Sequence, residues 1–352
     1  MGRVMWGQNW RPVFDPAEAH RELTIIKEDL HCNAVRICGE DLDRLIVAGR
    51  DALDLGLEAW LSPELWDYSP DETLAYIARA AARAEELNEL HAGRVVLSVG
   101  SELTLFLGGI VEGDSVFERL NHQTFWEQVR SGAHNTKLNA FLAEATERVR
   151  NVFHGLITYA SVPLETIDWS PFDIVSVDLY RDARLRDRFG EILGRYLAHE
   201  RRVAITEFGC CTYRGAADAG GRGFEILDYS VSRRDSAPPR LKGAYTRDEA
   251  EQARELTETF AIFDQAGVDA TFVMTFVAPL NPCSDEPLCD LDMASYALVK
   301  SFGGRLGPLG EAYPDAPWDR QRHGTTFPDM PWEPKASFWA LADAYAGRYA
   351  TD

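Results

Sequence analysis

The chain is poor in the features that announce the commonest special chemistries. Its six cysteines fall in three pairs, Cys32/Cys38, Cys210/Cys211 and Cys283/Cys289, none in a C-x-x-C arrangement or at the spacing of a structural zinc site. Cys38 reads as a small hydrophobe in a strand. Cys283 and Cys289 flank a Pro/Asp-rich loop, where a bridge and two free thiols both remain open. The eight histidines (20, 31, 91, 122, 134, 154, 199, 323) never form H-x-H or H-E-x-x-H, which argues against the usual metal-hydrolase barrels. No G-x-G-x-x-G follows the first strand and no G-x-x-x-x-G-K-[ST] occurs, so dinucleotide and P-loop cofactors are not expected. The reading calls for no metal and no cofactor. Acidic residues in Cys283–Met293 lack the EF-hand pattern and read as a solvated loop.

Positive charge is also scarce. With 36 Lys and Arg against 56 Asp and Glu, the formal charge of −20 repels a phosphate backbone or an anionic membrane surface. Neither nucleic acid nor membrane is an expected partner. No segment approaches the roughly 20 apolar residues of a transmembrane helix, and the start carries no apolar run of signal-peptide length. A soluble, cytoplasmic protein is the expectation; oligomeric state is open.

What the 352 residues do contain is a repeating alternation of apolar strands and amphipathic helices. Strands are expected at Val4–Gly7, Ala34–Ile37, Leu57–Leu61, Val95–Gly100, Leu156–Ala160, Asp173–Tyr180, Val203–Phe208 and Ala270–Phe276. Helices are expected over Pro16–Leu30, Leu42–Leu55, Asp71–Leu90, Lys137–Phe153, Ala183–His199, Asp248–Ala266 and Lys335–Tyr345. Asp15 with Pro16 marks one helix start and Gly56 one helix end. Eight such strands imply a parallel sheet closed as a (β/α)8 barrel, one catalytic domain over residues 1–352, with a doubly wound sheet as the rival. Long connections run over Leu103–Asn135, Gly209–Arg247 and Val277–Pro334, all after strands and so at the face where barrels build active sites. The second holds glycines 209, 215, 220, 221, 223 and 243; a closing lid and a fixed surface decoration are both compatible with it.

Period-two counting turns Ala34, Arg36 and Cys38 to one face of the second strand, Ser98, Gly100 and Glu102 to one face of the fourth, and Ser176, Asp178 and Tyr180 to one face of the sixth. The opposite faces are apolar and should meet the helices. Arg36, Glu102, Asp178 and Tyr180 then point into the mouth, joined by Glu207 at the end of the seventh strand; Glu40 and Glu64 lie nearby. Two glutamates converging from different strands suit glycosidic bond cleavage, in which one carboxyl is held protonated for the leaving oxygen and the other stays ionised. Among the tryptophans, Trp6, Trp10, Trp60, Trp66 and Trp126 are candidates for stacking on a sugar, Trp66 foremost, with Trp60 expected inside its strand.

These residues resemble the large clan of retaining glycoside hydrolases with (β/α)8 barrels. The matching pieces are NAVRI (33–37), LSVGSELT (97–104), DIVSVDLY (173–180), VAITEFG (203–209) and WEPKASFWALADAY (332–345). The resemblance implies Glu102 as general acid/base, Glu207 as nucleophile, Arg36 as the arginine beside the nucleophile and Tyr180 as the sixth-strand tyrosine. The chain departs from the clan at Ser101, where an asparagine usually precedes the acid/base, and at Phe276, where many relatives place a tryptophan under the sugar. The expected substrate is a carbohydrate or glycoside, neutral or amine-bearing sugars suiting the acidic charge best. Two other classes remain: a barrel enzyme using the same carboxylates on a non-sugar metabolite, and a non-catalytic descendant that binds a glycan or a protein.

Overall fold

A computed structural model describes residues 4–5, 8–228, 239–303 and 317–349. Its centre is a sheet of seven parallel strands: β1 (Ala34–Gly39), β2 (Glu58–Pro63), β3 (Val95–Ser101), β4 (Leu156–Ser161), β5 (Ile174–Asp178), β6 (Arg202–Phe208) and β7 (Ala270–Val273). They pair in sequence order from β1 to β7. The main helices are α1 (Pro16–Glu28), α2 (Leu42–Asp54), α3 (Pro70–Leu90), α4 (Ala133–Arg150), α5 (Phe189–Leu197), α6 (Glu249–Gln265) and α7 (Ala336–Tyr349). The helix starts are written in the sequence: the Asp15 carboxylate accepts from the Ala17 amide, Asp41 caps α2, and Ser69 with Glu72 forms a capping box before α3.

The sheet curls until its two ends face one another. Trp60 of β2 packs on Phe272 of β7 with ring centroids 4.8 Å apart. These two rings join Val96, Ile174 and Ala204, with Ala34 and Leu156 packed alongside, so every strand contributes to one apolar layer inside the barrel. Above that layer the interior becomes polar: Thr158 and Ser176 hydroxyls lie 2.6 Å apart, and the Ser161 hydroxyl donates to the Ser176 carbonyl. The outward residues Val35, Ile37, Leu97, Val99 and Val175 pack under α2, α3 and α4, as the period-two count requires. A second cluster joins Ile25 of α1, Phe260 and Phe263 of α6, and Phe338 and Leu341 of α7, which closes the ring of helices between its first and last members.

The expected first strand is corrected. Val4–Met5 pairs antiparallel with Gln8–Asn9 and not with the sheet, so the parallel sheet of the described residues has seven strands rather than eight, and the expected fourth and seventh strands are β3 and β6. A hairpin partner three residues away competes with β1, which lies beyond a whole helix. The last strand is also shorter than expected, ending at Val273. None of the helices among the described residues is long and apolar enough to cross a membrane.

The described parts of the loops after β6 and β7 pack on one another. Cys210, Cys211, Tyr213, Ile226 and Leu227 from the loop after β6 pack with Leu291, Met293 and Trp318 from the loop after β7. The acidic loop expected to be solvated is so at Asp285 and Glu286, but Asp290 and Asp292 are buried. Arg247 pairs with Asp290 at 2.6 Å and with Asp292 at 2.8 Å, while the fully buried Lys335 ammonium reaches Asp292 and the Thr212 hydroxyl at 2.9 Å each. All six cysteines are free, Cys283 and Cys289 included, and burial pushes the Cys283 thiol up to about 11. Trp6 and residues 229–238 of the glycine-bearing loop lie outside the described residues.

Candidate active site

At the C-terminal mouth of the sheet, one carboxylate oxygen each from Glu102, Asp178 and Glu207 lie within 4.8 Å of one another. Each arrives by a distortion of its strand. The β3/β4 register shifts between Ser98 and Ser101, and the β5/β6 register shifts between Val177 and Asp178. Such irregularities bend a strand end and re-aim its side chains. Gly100 takes φ +155°, and Glu102 itself sits in the left-handed region at φ +48°. That conformation is costly for a residue with a Cβ and persists where the surroundings over-determine it.

Glu207 is held by two donors. The Arg36 Nη1 donates to Glu207 Oε1 at 2.7 Å and to the Thr206 carbonyl at 3.2 Å, and the Tyr180 hydroxyl donates to Glu207 Oε2 at 3.1 Å. The other arm of the guanidinium, Nη2, donates to Ser62 Oγ at 3.1 Å and to Glu64 Oε1 at 3.2 Å, with Ser62 Oγ itself donating to Glu64 at 2.9 Å. Side-chain exposure is only 5% for Arg36 and 7% for Glu207, so this pair works in a low-dielectric setting. Burial by itself would lower the Arg36 pKa, but Cys38, Asp178, Glu207 and Glu64 raise it, and the group stays charged. Tyr180 is pushed well above its ordinary value by burial and then by Glu207, Tyr296 and Asp178, which keeps its hydroxyl a donor. Its ring is located by Tyr296, 5.6 Å away, whose own hydroxyl donates to the Gly220 carbonyl.

Asp178 accepts from the Ser101 hydroxyl at 3.2 Å. The residue that stands where an asparagine was anticipated is thereby engaged with the third carboxylate. Glu102 is half-buried and begins a one-turn helix, Leu103–Phe106.

Two residues expected against the substrate have ring neighbours of their own. Trp66 is 8% exposed, stacked on Phe106 with centroids 3.9 Å apart, and met edge-on by Trp10. Phe276 packs edge-on against Trp332 at 5.3 Å and near Phe338, under the closing helix. Trp60 is buried in the barrel floor and Trp126 is exposed at the surface. Ser62, Tyr159 and Glu165 were not foreseen. Ser62 shares the inward face of Trp60 and Glu64 and was open to the same period-two count; Tyr159 faces outward and Glu165 lies in a loop, so no periodic signal marks either.

No protein-family description matches this sequence, and no curated protein does. Solved structures do. The GH113 β-mannanase AaManA from Alicyclobacillus acidocaldarius, in complex with ManMIm, aligns over 94% of this chain and 91% of its own at 17% identity, with a TM-score of 0.55. A GH113 β-1,4-mannanase covers 73% of this chain and 81% of its own at 16% identity, TM-score 0.49, and PbGH5A, a family 5 glycoside hydrolase from Prevotella bryantii B14, covers 83% and 90% at 15% identity, TM-score 0.46. A three-carboxylate cluster, with Asp178 and Glu207 buried and Glu102 half-buried, thus stands at the mouth of a barrel that shares its fold with the GH113 β-mannanase AaManA.

Proposed function

We propose that this protein is a retaining glycosidase-like enzyme in which Glu207 is the nucleophile and Glu102 the general acid/base. The observation that carries the reading is the approach of the Glu102 and Glu207 carboxylates to within 4.8 Å, oxygen to oxygen, across the barrel mouth. That separation suits direct attack on an anomeric carbon, since retaining enzymes keep their carboxyl groups about 5–5.5 Å apart and inverting ones leave room for a water between them.

In the first step a Glu207 oxygen bonds to the anomeric carbon as the glycosidic C–O bond breaks, and the Glu102 proton passes to the departing oxygen. In the second, Glu102 takes a proton from water, the hydroxide oxygen bonds to the anomeric carbon, and Glu207 leaves as carboxylate. Arg36 and Tyr180 hold both Glu207 oxygens in line and match the charge that returns to them at each release. Asp178, with Ser101, is proposed to grip a sugar hydroxyl or amine beside the reacting carbon. Trp66 receives no stacking role, because its ring face is stacked on Phe106, whereas the half-buried Phe276, in edge-on contact with Trp332, is proposed to line the sugar subsite. The substrate is a carbohydrate or glycoside.

A panel of aryl glycosides tests the reading. Turnover is expected on at least one, with Glu207→Ala losing about 10⁴-fold or more in kcat and azide restoring turnover on an activated substrate. Undiminished turnover by Glu207→Ala, or inertness of the wild type across chemically diverse sugars, contradicts it.

A further inference from the structure

Glu102 occupies the N-cap position of the one-turn helix Leu103–Phe106, yet its side chain makes no capping hydrogen bond. The side chain at this position ordinarily satisfies the free amides of the first turn. Here other groups do so. The Leu103 amide donates to the Tyr159 hydroxyl at 2.8 Å, and the Thr104 amide donates to Glu165 Oε1 at 3.0 Å. The Tyr159 hydroxyl in turn donates to Glu165, 3.0 and 2.9 Å from its two oxygens, and the Val162 amide donates to Oε2 at 3.2 Å. Tyr159 is fully buried and Glu165 is 8% exposed.

We infer that Tyr159 and Glu165 are positioning residues for the acid/base: they cap the turn after Glu102 from the neighbouring strand and loop, and so release the Glu102 carboxylate to join Asp178 and Glu207. A glutamate in the left-handed region needs its surroundings to hold it there, and the two amides that follow it are its nearest backbone handles. Had Glu102 capped its own turn, its carboxylate would point at Thr104 and Leu105 rather than at the centre of the mouth. The inference rests on the proposed role of Glu102, and its test separates the two.

Tyr159→Phe removes the acceptor of the Leu103 amide. Glu165→Gln keeps one carbonyl acceptor but turns an NH2 group toward a backbone amide or the Tyr159 hydroxyl. Each variant is compared with wild type in three ways: thermal unfolding, amide hydrogen exchange in the peptide spanning 101–107, and kcat/KM on phenyl and dinitrophenyl glycosides of the sugar the wild type accepts. Exchange at Leu103 and Thr104 should accelerate in a folded variant. The phenyl glycoside, whose leaving group needs a proton, should lose about tenfold or more, while the dinitrophenyl glycoside stays within about twofold. Equal losses on both substrates, or unchanged exchange at the two amides in a folded variant, overturn the inference. If Glu165→Gln does not fold, Tyr159→Phe carries the same readouts. Should the wild type turn over neither glycoside, the enzymatic reading fails, and hydrogen exchange still decides whether these residues hold the turn.

Discussion

At the scale of single residues, Arg36, Glu102, Asp178, Tyr180 and Glu207 were legible because each sits at a strand end whose alternation fixes its face, and the structure brings all five together. The ring neighbours of Trp66 and Phe276 were not. An aromatic ring in a loop carries no periodic signal, and what decides its exposure is a neighbour far along the chain, Phe106 for one and Trp332 for the other. Glu165 was invisible for the same reason. Its burial has a measurable consequence: desolvation raises its pKa above the ordinary 4.5, against the pull of its hydrogen bonds from Thr104, Tyr159 and Val162. The folded state therefore holds this proton more tightly than the unfolded chain. Its contribution to stability is full below about pH 4.5 and is lost as pH rises through the raised value. Thermal unfolding of wild type and Glu165→Gln across this range should give a difference that shifts in favour of the variant with rising pH and then levels off. A difference that moves toward the wild type contradicts the assignment.

At the scale of elements, most helices and strands followed from caps and alternation with edges off by a few residues; the helix expected from Ala183 begins only at Phe189, and the expected first strand was misassigned because a nearby hairpin partner outcompeted the sheet. The distortions that aim the carboxylates were harder to foresee. Gly100 is the clearest. Beyond its φ of +155°, a Cβ there would stand 2.8 Å from Leu103 Cδ1, in the same turn that carries Glu102. Gly100→Ala should cost ~1–3 kcal/mol in urea unfolding and reduce turnover further than that loss of stability explains, because the strained backbone and the displaced Leu103 side chain both adjoin Glu102. An unchanged unfolding midpoint together with unchanged turnover would show that the strand end tolerates an ordinary backbone.

At the scale of the whole molecule, the barrel was legible from eight repeats even though the sheet of the described residues has seven strands and is only nearly closed, since alternation of strand and helix leaves few topologies. The internal construction of the loops was not, because Asp290 and Asp292 look solvated until Arg247 and Lys335 are brought to them from distant segments. Burial lowers the Lys335 pKa, with Asp292 opposing that fall. This network ties the last helix to the loops after β6 and β7. Lys335→Met leaves the buried Asp292 with Arg247 as its remaining cation and should destabilise the fold by roughly 3–5 kcal/mol, read as a lower urea midpoint; a change under about 1 kcal/mol would mean that Arg247 suffices. The most direct test of the account lies at the mouth of the barrel. Incubation with an activated fluorosugar of the accepted type, followed by intact mass and peptide mapping, should give a single glycosyl adduct on Glu207; turnover with no adduct, or an adduct on any other residue, would contradict it.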